Sequence, residues 1–135
     1  TRRSSDLMFI KLLFQSLIVF LAIDAAWITQ VASPWMKKAV PHLMADKPNL
    51  LAAFVFYVLY LAILLVLIVI PELTNKNWQP VIQKAFLFGF AAYATYDLTN
   101  LAVMKNFPWT MAVADMFWGG LLTALTALII WKINT

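Results

Sequence analysis

Four apolar stretches, each long enough to cross a lipid bilayer, constrain this sequence more than any other feature. The clearest is a run of 24 residues between Lys47 and Glu72 that contains no charged side chain. An α-helix rises about 1.5 Å per residue, so about 20 apolar residues cross a hydrocarbon core about 30 Å thick. The run predicts a transmembrane helix, because in lipid the backbone N–H and C=O groups must be hydrogen-bonded within the protein.

The rest of the chain has the same apolar character. Of its 135 residues, 64% are hydrophobic and 12% are charged, whereas soluble domains are about 25% charged. Because the turn before Pro108 is very short, the third and fourth spans must be antiparallel neighbours. The predicted fold is an all-α membrane protein, a single domain of four antiparallel transmembrane helices over residues of about 8–32, 49–71, 80–104 and 108–131.

The segment between the first two spans, about 35–47, is mixed rather than apolar. We expect Pro34 to end the first span, since proline interrupts helical hydrogen bonding. Val40, Leu43 and Met44 then follow with i, i+3, i+4 spacing. This spacing predicts one short helix that lies at the membrane interface.

Basic residues outnumber acidic ones, 10 to 6, and give a net charge of +4. They are scattered at the ends of the apolar segments, where Lys and Arg anchor helices and set their orientation. The expected partner is therefore the lipid bilayer, and no nucleic acid is expected. Six of the basic residues fall on the side of the termini and four on the other, which predicts an integral membrane protein with both termini on the positive, cytoplasm-like side.

Several kinds of chemistry are excluded or weakly supported. Cysteine is absent and His42 is the single histidine, so thiolate metal sites, iron–sulfur clusters and disulfides are excluded. No metal site is predicted, and no motif identifies a cofactor. The chain has three glycines and no Gly-rich phosphate loop, so catalysis is not favoured. A lipid-modifying membrane enzyme is the third interpretation.

Three acidic residues lie inside predicted spans rather than at their ends: Asp24, Asp97 and Asp115. Such a charge costs about 2.5–3.5 kcal/mol or more, and intramembrane acids are functional candidates by default. Each lies 7 or 8 residues from a predicted span end, and alternating helix direction puts those three ends on one side. At about 1.5 Å per residue, the acids are expected at one level, roughly 10–12 Å inside one membrane boundary.

Aromatic and amide side chains share the helical faces of these acids, at i, i+3 and i+4 spacing. The predicted pocket lining consists of Trp27, Tyr93, Tyr96, Asn100 and Trp118 beside the three acids, with Tyr57 or Tyr60 as a contribution from the second span. Gly119 and Gly120 are assigned instead to a close helix crossing, where small residues let two backbones approach.

Two interpretations of this cluster stand open. In the first, an acidic, aromatic-lined pocket binds or transports a cation, an amine or a proton. In the second, the polar groups satisfy one another and hold the helices together, as in a structural accessory subunit of a respiratory or photosynthetic complex. Four short spans rarely enclose a full pathway alone, so we expect a homodimer or a subunit of a larger membrane complex.

One string in the third span, ATYDLTNLA at residues 94–102, resembles the core motif of a known family. This is the small, four-helix predicted membrane protein family called domain of unknown function 2177. Stretches around the other two intramembrane acids also resemble it, so the resemblance covers nearly the whole chain. It implies the four-span layout and no particular reaction. It marks as motif positions Asp24, Tyr96, Asp97, Asn100, Asp115, Trp118 and Gly119.

Overall fold

The computed structural model describes residues 2–44 and 47–135. This part of the chain contains four long helices and no β-strand, which confirms the prediction of an all-α membrane protein. In chain order the helices are α1 (Arg2–Ala39), α2 (Leu50–Glu72), α3 (Gln79–Val103) and α4 (Trp109–Ile133).

Three of the four helices, α1, α2 and α4, are long and apolar enough to cross a membrane. Helix α3 has the same length as α4, 25 residues, but it carries Lys84 and Asp97 and is less apolar. Its most extensive packing is against α4, and Gly89 and Asp97 are buried along it. Of its two charged side chains, Asp97 is buried between the helices, whereas Lys84 is exposed.

Helix α1 continues through the residues where the sequence predicts its end. The α-helix Arg2–Trp27 passes into a π-helical segment, Ile28–Ala32, and resumes over Ser33–Ala39. The Ser33 N–H donates to the Ile28 carbonyl, five residues back. Pro34 then lies in the first turn of the resumed helix, where a missing N–H is tolerated.

The expected interfacial segment is therefore joined to α1 without a break. Its described part consists of the end of α1 and a 3₁₀ turn, Pro41–Leu43, and its residues 45 and 46 lie outside the described residues. A helix of 38 residues is about 57 Å long, so part of α1 must extend beyond the hydrocarbon core. The exposed Lys37 and Lys38 suit such an extension into the interface.

Helix α2 begins at a local capping signal and ends at an irregular turn. The Asn49 side chain accepts a hydrogen bond from the Ala52 N–H at 3.0 Å, as expected of a helix N-cap. Near its other end the helix loosens to a π-helical segment, Leu65–Val69, and then tightens to a 3₁₀ turn, Ile70–Glu72.

The buried core runs between all four helices. Its largest fully buried side chains include residues from each of α1, α2, α3 and α4: Leu12, Phe20, Leu61, Leu65, Val81, Leu122 and Ile130. These residues lie along the centre of the bundle. The outward faces of the helices carry exposed apolar side chains of the kind that face lipid.

Glycines bring α3 and α4 into close contact. A Cβ atom at Gly89 would clash with the carbonyl oxygen of Gly119 and with the Thr123 side chain. A Cβ atom at Gly119 would clash with Tyr93, whereas at Gly120 it would meet the far end of the Phe86 ring at 2.7 Å. The two glycines assigned to a helix crossing lie at this contact, and Gly89 completes it from α3.

A second polar cluster ties the bundle together at the end away from the three acids. Glu72 is 5% exposed and accepts hydrogen bonds from Lys84 at 2.7 Å and Asn75 at 2.6 Å. Its backbone carbonyl accepts the Trp131 indole N–H at 2.7 Å. A residue that the sequence treats as a plain span end therefore joins α2, α3 and α4.

We predict that Gly89→Ala destabilises the protein by about 1–3 kcal/mol, because the added methyl group meets backbone that cannot rotate away. This range is the net effect, after the gain in helix propensity of about 1 kcal/mol. Gly120→Ala is the matched control, since the Phe86 ring can turn aside, and its effect should be smaller. Unfolding in detergent micelles by circular dichroism measures both. A Gly89→Ala variant as stable as the wild type would contradict the close contact.

Candidate functional site

The structure brings the three intramembrane acids together at one level of the bundle. Asp24 comes from α1, Asp97 from the second half of α3, and Asp115 from the start of α4. Asp24 and Asp115 line one cavity, and Asp97 and Asp115 line a second. The alternating direction of the helices produces this meeting. Asp97 lies six residues before the end of α3 and Asp115 six residues after the start of α4, whereas Asp24 lies 15 residues before the end of α1 because that helix continues past Pro34.

Asp24 is held by two donors from two other helices. It is 6% exposed. One of its oxygens, Oδ2, accepts the Tyr57 hydroxyl at 2.9 Å, and the other, Oδ1, accepts the Trp118 indole N–H at 3.1 Å. Both oxygens have a partner, so Asp24 links α1 to α2 and to α4.

Asp97 and Asp115 form a different arrangement, because they line the same small cavity. Two carboxylates that face each other in a region of low dielectric repel, so this arrangement favours a proton or a cation between them. Asp97 is 1% exposed, and its Oδ2 has no hydrogen-bond partner among the described residues.

Two tryptophans stack beside this pair. The rings of Trp27 and Trp118 lie 4.7 Å apart and within 7° of parallel. Trp118 donates to Asp24, whereas the buried Trp27 N–H lies beside Asp115 but meets no described residue in good hydrogen-bond geometry. One buried donor, the Trp27 N–H, and one buried acceptor, the Oδ2 of Asp97, therefore lack a hydrogen-bond partner among the described residues at this end of the bundle.

Two adjoining cavities surround the acids. The larger, about 330 Å³, is lined by Asp24, Phe56, Tyr57, Ala92, Tyr93, Tyr96 and Asp115. The smaller, about 180 Å³, is lined by Trp27, Ala32, Met36, Tyr96, Asp97, Phe107, Met111 and Asp115. Tyr96 and Asp115 belong to both linings, so the cavities meet at these residues. Within the described chain, neither lining includes Lys, Arg or His.

The π-helical segment of α1 borders the smaller cavity. It begins directly after Trp27 and contributes Ala32. π-Helical turns inside α-helices occur frequently at functional sites, where the extra residue changes the direction of neighbouring side chains. The same segment carries α1 past Pro34, so that Met36 also reaches the cavity.

A packed layer of aromatic side chains lies next to the acids, on the side towards the centre of the bundle. The Tyr60 ring stacks with Phe88 at 5.2 Å and lies 5.7 Å from Phe20. Its hydroxyl forms a hydrogen bond of 2.7 Å with Thr123. The acidic cavities are thus confined to one end of the bundle by a layer whose polar groups have partners.

The predicted lining residues fall into three groups. Trp27, Tyr93 and Tyr96 line the cavities. Trp118 lies behind them as a donor to Asp24. Asn100 is half-buried and its backbone carbonyl accepts the Met104 N–H at 2.8 Å, but its side chain is in neither described lining.

Sequence reasoning missed the apolar part of the lining. Phe56, Phe107 and Met111 contribute to the cavities, yet phenylalanine and methionine are ordinary residues of a transmembrane helix. No local signal distinguishes them from lipid-facing neighbours. Tyr57, by contrast, was identifiable as one of two polar-tipped residues on α2.

The family described as "Predicted membrane protein (DUF2177)" matches residues 9–132. No curated protein and no solved structure matches. The matched range covers all three intramembrane acids.

We predict that Tyr57→Phe destabilises the protein by about 1–2 kcal/mol, because it leaves a buried carboxylate oxygen of Asp24 without its donor. Tyr96→Phe removes the same hydroxyl from a ring that is 58% exposed and should change stability by less than about 0.5 kcal/mol. Unfolding of both variants in the same detergent measures the difference. Equal effects would show that the bond to Asp24 contributes no stability.

Proposed function

We propose that this chain, which belongs to the DUF2177 family of predicted membrane proteins, binds a small protonated amine in its acidic cavity. One observation carries the proposal. A cavity of about 330 Å³ is lined by two carboxyl groups and four aromatic rings, with no basic side chain in its described lining. This combination of negative charge, ring faces and volume suits a small organic cation.

The charge of the site favours a cation. Asp24 and Asp115 face one cavity, and Asp97 adds a third carboxyl next to them. Hydrogen bonds from Tyr57 and Trp118 stabilise Asp24 but do not neutralise it. Negative charge inside a low-dielectric region is costly without a counter-charge, and a bound ammonium group supplies one.

The aromatic lining supports an organic cation over an inorganic one. Phe56, Tyr57, Tyr93 and Tyr96 surround the larger cavity, and ring faces attract ammonium groups by cation–π interaction, by about 0.5–2 kcal/mol. Within residues 2–44 and 47–135, no group of three or more His, Cys, Asp or Glu side chains is arranged to hold a metal ion. The acids border a volume rather than converge on a point, which favours a ligand with several contact points.

A proton is the second candidate ligand, and the common cavity of Asp97 and Asp115 favours it. Two neighbouring carboxyl groups can share one proton, and intramembrane acids form proton relays in pumps and transporters. An amine at Asp115 would then compete with this proton for the same carboxylate, so amine binding would be coupled to proton release. Transport of either species is the corresponding hypothesis for the protein in a membrane.

A purely structural role remains the alternative, as in an accessory subunit of a respiratory or photosynthetic complex. It accounts for Asp24, whose two oxygens have donors. It does not account for Asp97, whose Oδ2 is buried without a partner in the described part of the chain. Catalysis on a lipid has less support, because the linings offer no basic group for a phosphate.

We also propose that the chain works as a homodimer or as a subunit of a larger complex, with both termini on the cytoplasm-like side. Tyr96 lines both cavities and is 58% exposed at the outside of the bundle. The site therefore opens sideways, towards lipid or a second chain. The orientation rests on the excess of basic residues on the side of the termini.

We predict that Asp115→Asn weakens binding of benzylamine by about tenfold or more, which corresponds to about 1.4 kcal/mol, because the variant removes charge common to both cavities. Asp6→Asn is the matched control, since Asp6 is exposed near the start of α1. Isothermal titration calorimetry of the purified protein in detergent, with benzylamine and tetramethylammonium, measures both variants. Circular dichroism confirms that each variant is folded.

Three outcomes decide between the hypotheses. Loss of amine binding in Asp115→Asn, with binding retained in Asp6→Asn, supports the amine site. No binding of either probe by the wild type, together with proton flux in pyranine-loaded liposomes that Asp97→Asn abolishes, supports the proton alternative. If Asp97→Asn and Asp115→Asn leave binding and flux unchanged but both reduce assembly, the pocket hypothesis is wrong.

A further inference from the structure

A groove at the other end of the bundle has a different chemistry. It lies between the turn that joins α2 to α3, the start of α3 and the end of α4, and its volume is about 680 Å³. Two lysines, two tryptophans and several aliphatic side chains line it. Those that the argument uses are Lys76, Trp78, Ile82, Leu128, Trp131 and Lys132.

The two lysines carry positive charge that is available to a ligand. Lys76 and Lys132 are exposed, and neither forms an ion pair with a described residue. Glu72, the acid that ends α2 before this turn, is engaged with Lys84 at 2.7 Å and with Asn75. The pairing of Glu72 therefore leaves the positive charge of the groove uncompensated.

The polar groups of the groove lie at the ends of the helices, and its apolar groups lie deeper in the bundle. Lys76 and Trp78 belong to the α2–α3 turn, and Lys132 lies one residue before the end of α4. Trp78 is 50% exposed, as suits an aromatic ring at the membrane–water interface. Ile82 and Leu128 line the groove one turn further into their helices, at the level where hydrocarbon begins.

We propose that this groove binds an anionic phospholipid, with the phosphate between Lys76 and Lys132 and an acyl chain along Ile82 and Leu128. Basic pockets between transmembrane helices bind acidic lipid headgroups, and anionic lipids are enriched in the cytoplasmic leaflet. The groove lies on the side that the distribution of basic residues assigns to the cytoplasm. Free phosphate has no apolar part to contact the aliphatic side chains of the groove, whereas a phospholipid has acyl chains, so a lipid matches the groove better.

Native mass spectrometry of the full chain in detergent tests the proposal, with phosphatidylglycerol and phosphatidylcholine as the added lipids. We expect the wild type to retain phosphatidylglycerol in preference to phosphatidylcholine. The double variant Lys76→Gln/Lys132→Gln should lose about fivefold or more of this preference, since each interfacial lysine contributes about 1 kcal/mol towards an anionic lipid. The matched control is Lys37→Gln/Lys38→Gln, which removes two exposed lysines near the C-terminal end of α1, at the end of the bundle away from the groove.

Each outcome bears on the proposal directly. Loss of preference in the groove variant alone supports it. Equal loss in both double variants, or no preference in the wild type, overturns it. Displacement of the lipid by millimolar inorganic phosphate would show that the lysines bind the free anion and that the apolar wall contributes nothing. Asp115→Asn should bind lipid like the wild type, so the two proposals fail independently.

Discussion

A carboxylate inside a bilayer must find its hydrogen-bond donors within the protein, and this requirement organises the acidic end of the bundle. Asp24 meets it by accepting from Tyr57 and Trp118, which ties α1 to both α2 and α4. The bond to Trp118 also holds the ring on which Trp27 stacks. One acid thus determines the relative positions of three helices around the cavities.

The remaining acids depend on the contact between α3 and α4. Gly89 and Gly119 allow the two backbones to approach, and Tyr93 packs directly against Gly119. This close approach brings Asp97 and Asp115 to the same small cavity. The three acids therefore differ in their surroundings although they lie at one end of the bundle. Both oxygens of Asp24 have donors, whereas Asp97 and Asp115 share a cavity and the Oδ2 of Asp97 has no hydrogen-bond partner among the described residues.

The two ends of the bundle have opposite character. One end gathers carboxyl groups and aromatic rings around two adjoining cavities. At the other, Glu72 is neutralised by Lys84, and Lys76 and Lys132 remain exposed beside an apolar groove. The aromatic layer around Tyr60 separates them. This polarity is consistent with a protein that takes a cation from one side and contacts anionic lipid on the other.

The sequence by itself determined the helical class and predicted a common level for the three acids, because both follow from local quantities. Apolar length sets where a helix can cross lipid, and a rise of about 1.5 Å per residue converts position into depth. Only the tertiary structure decided how each helix is rotated about its axis. That rotation assigns Tyr57 and Trp118 to Asp24, keeps Asn100 out of the cavities and brings Phe56 into them. It also decided that α1 passes Pro34, because a shift in hydrogen-bond register depends on more than the local presence of a proline.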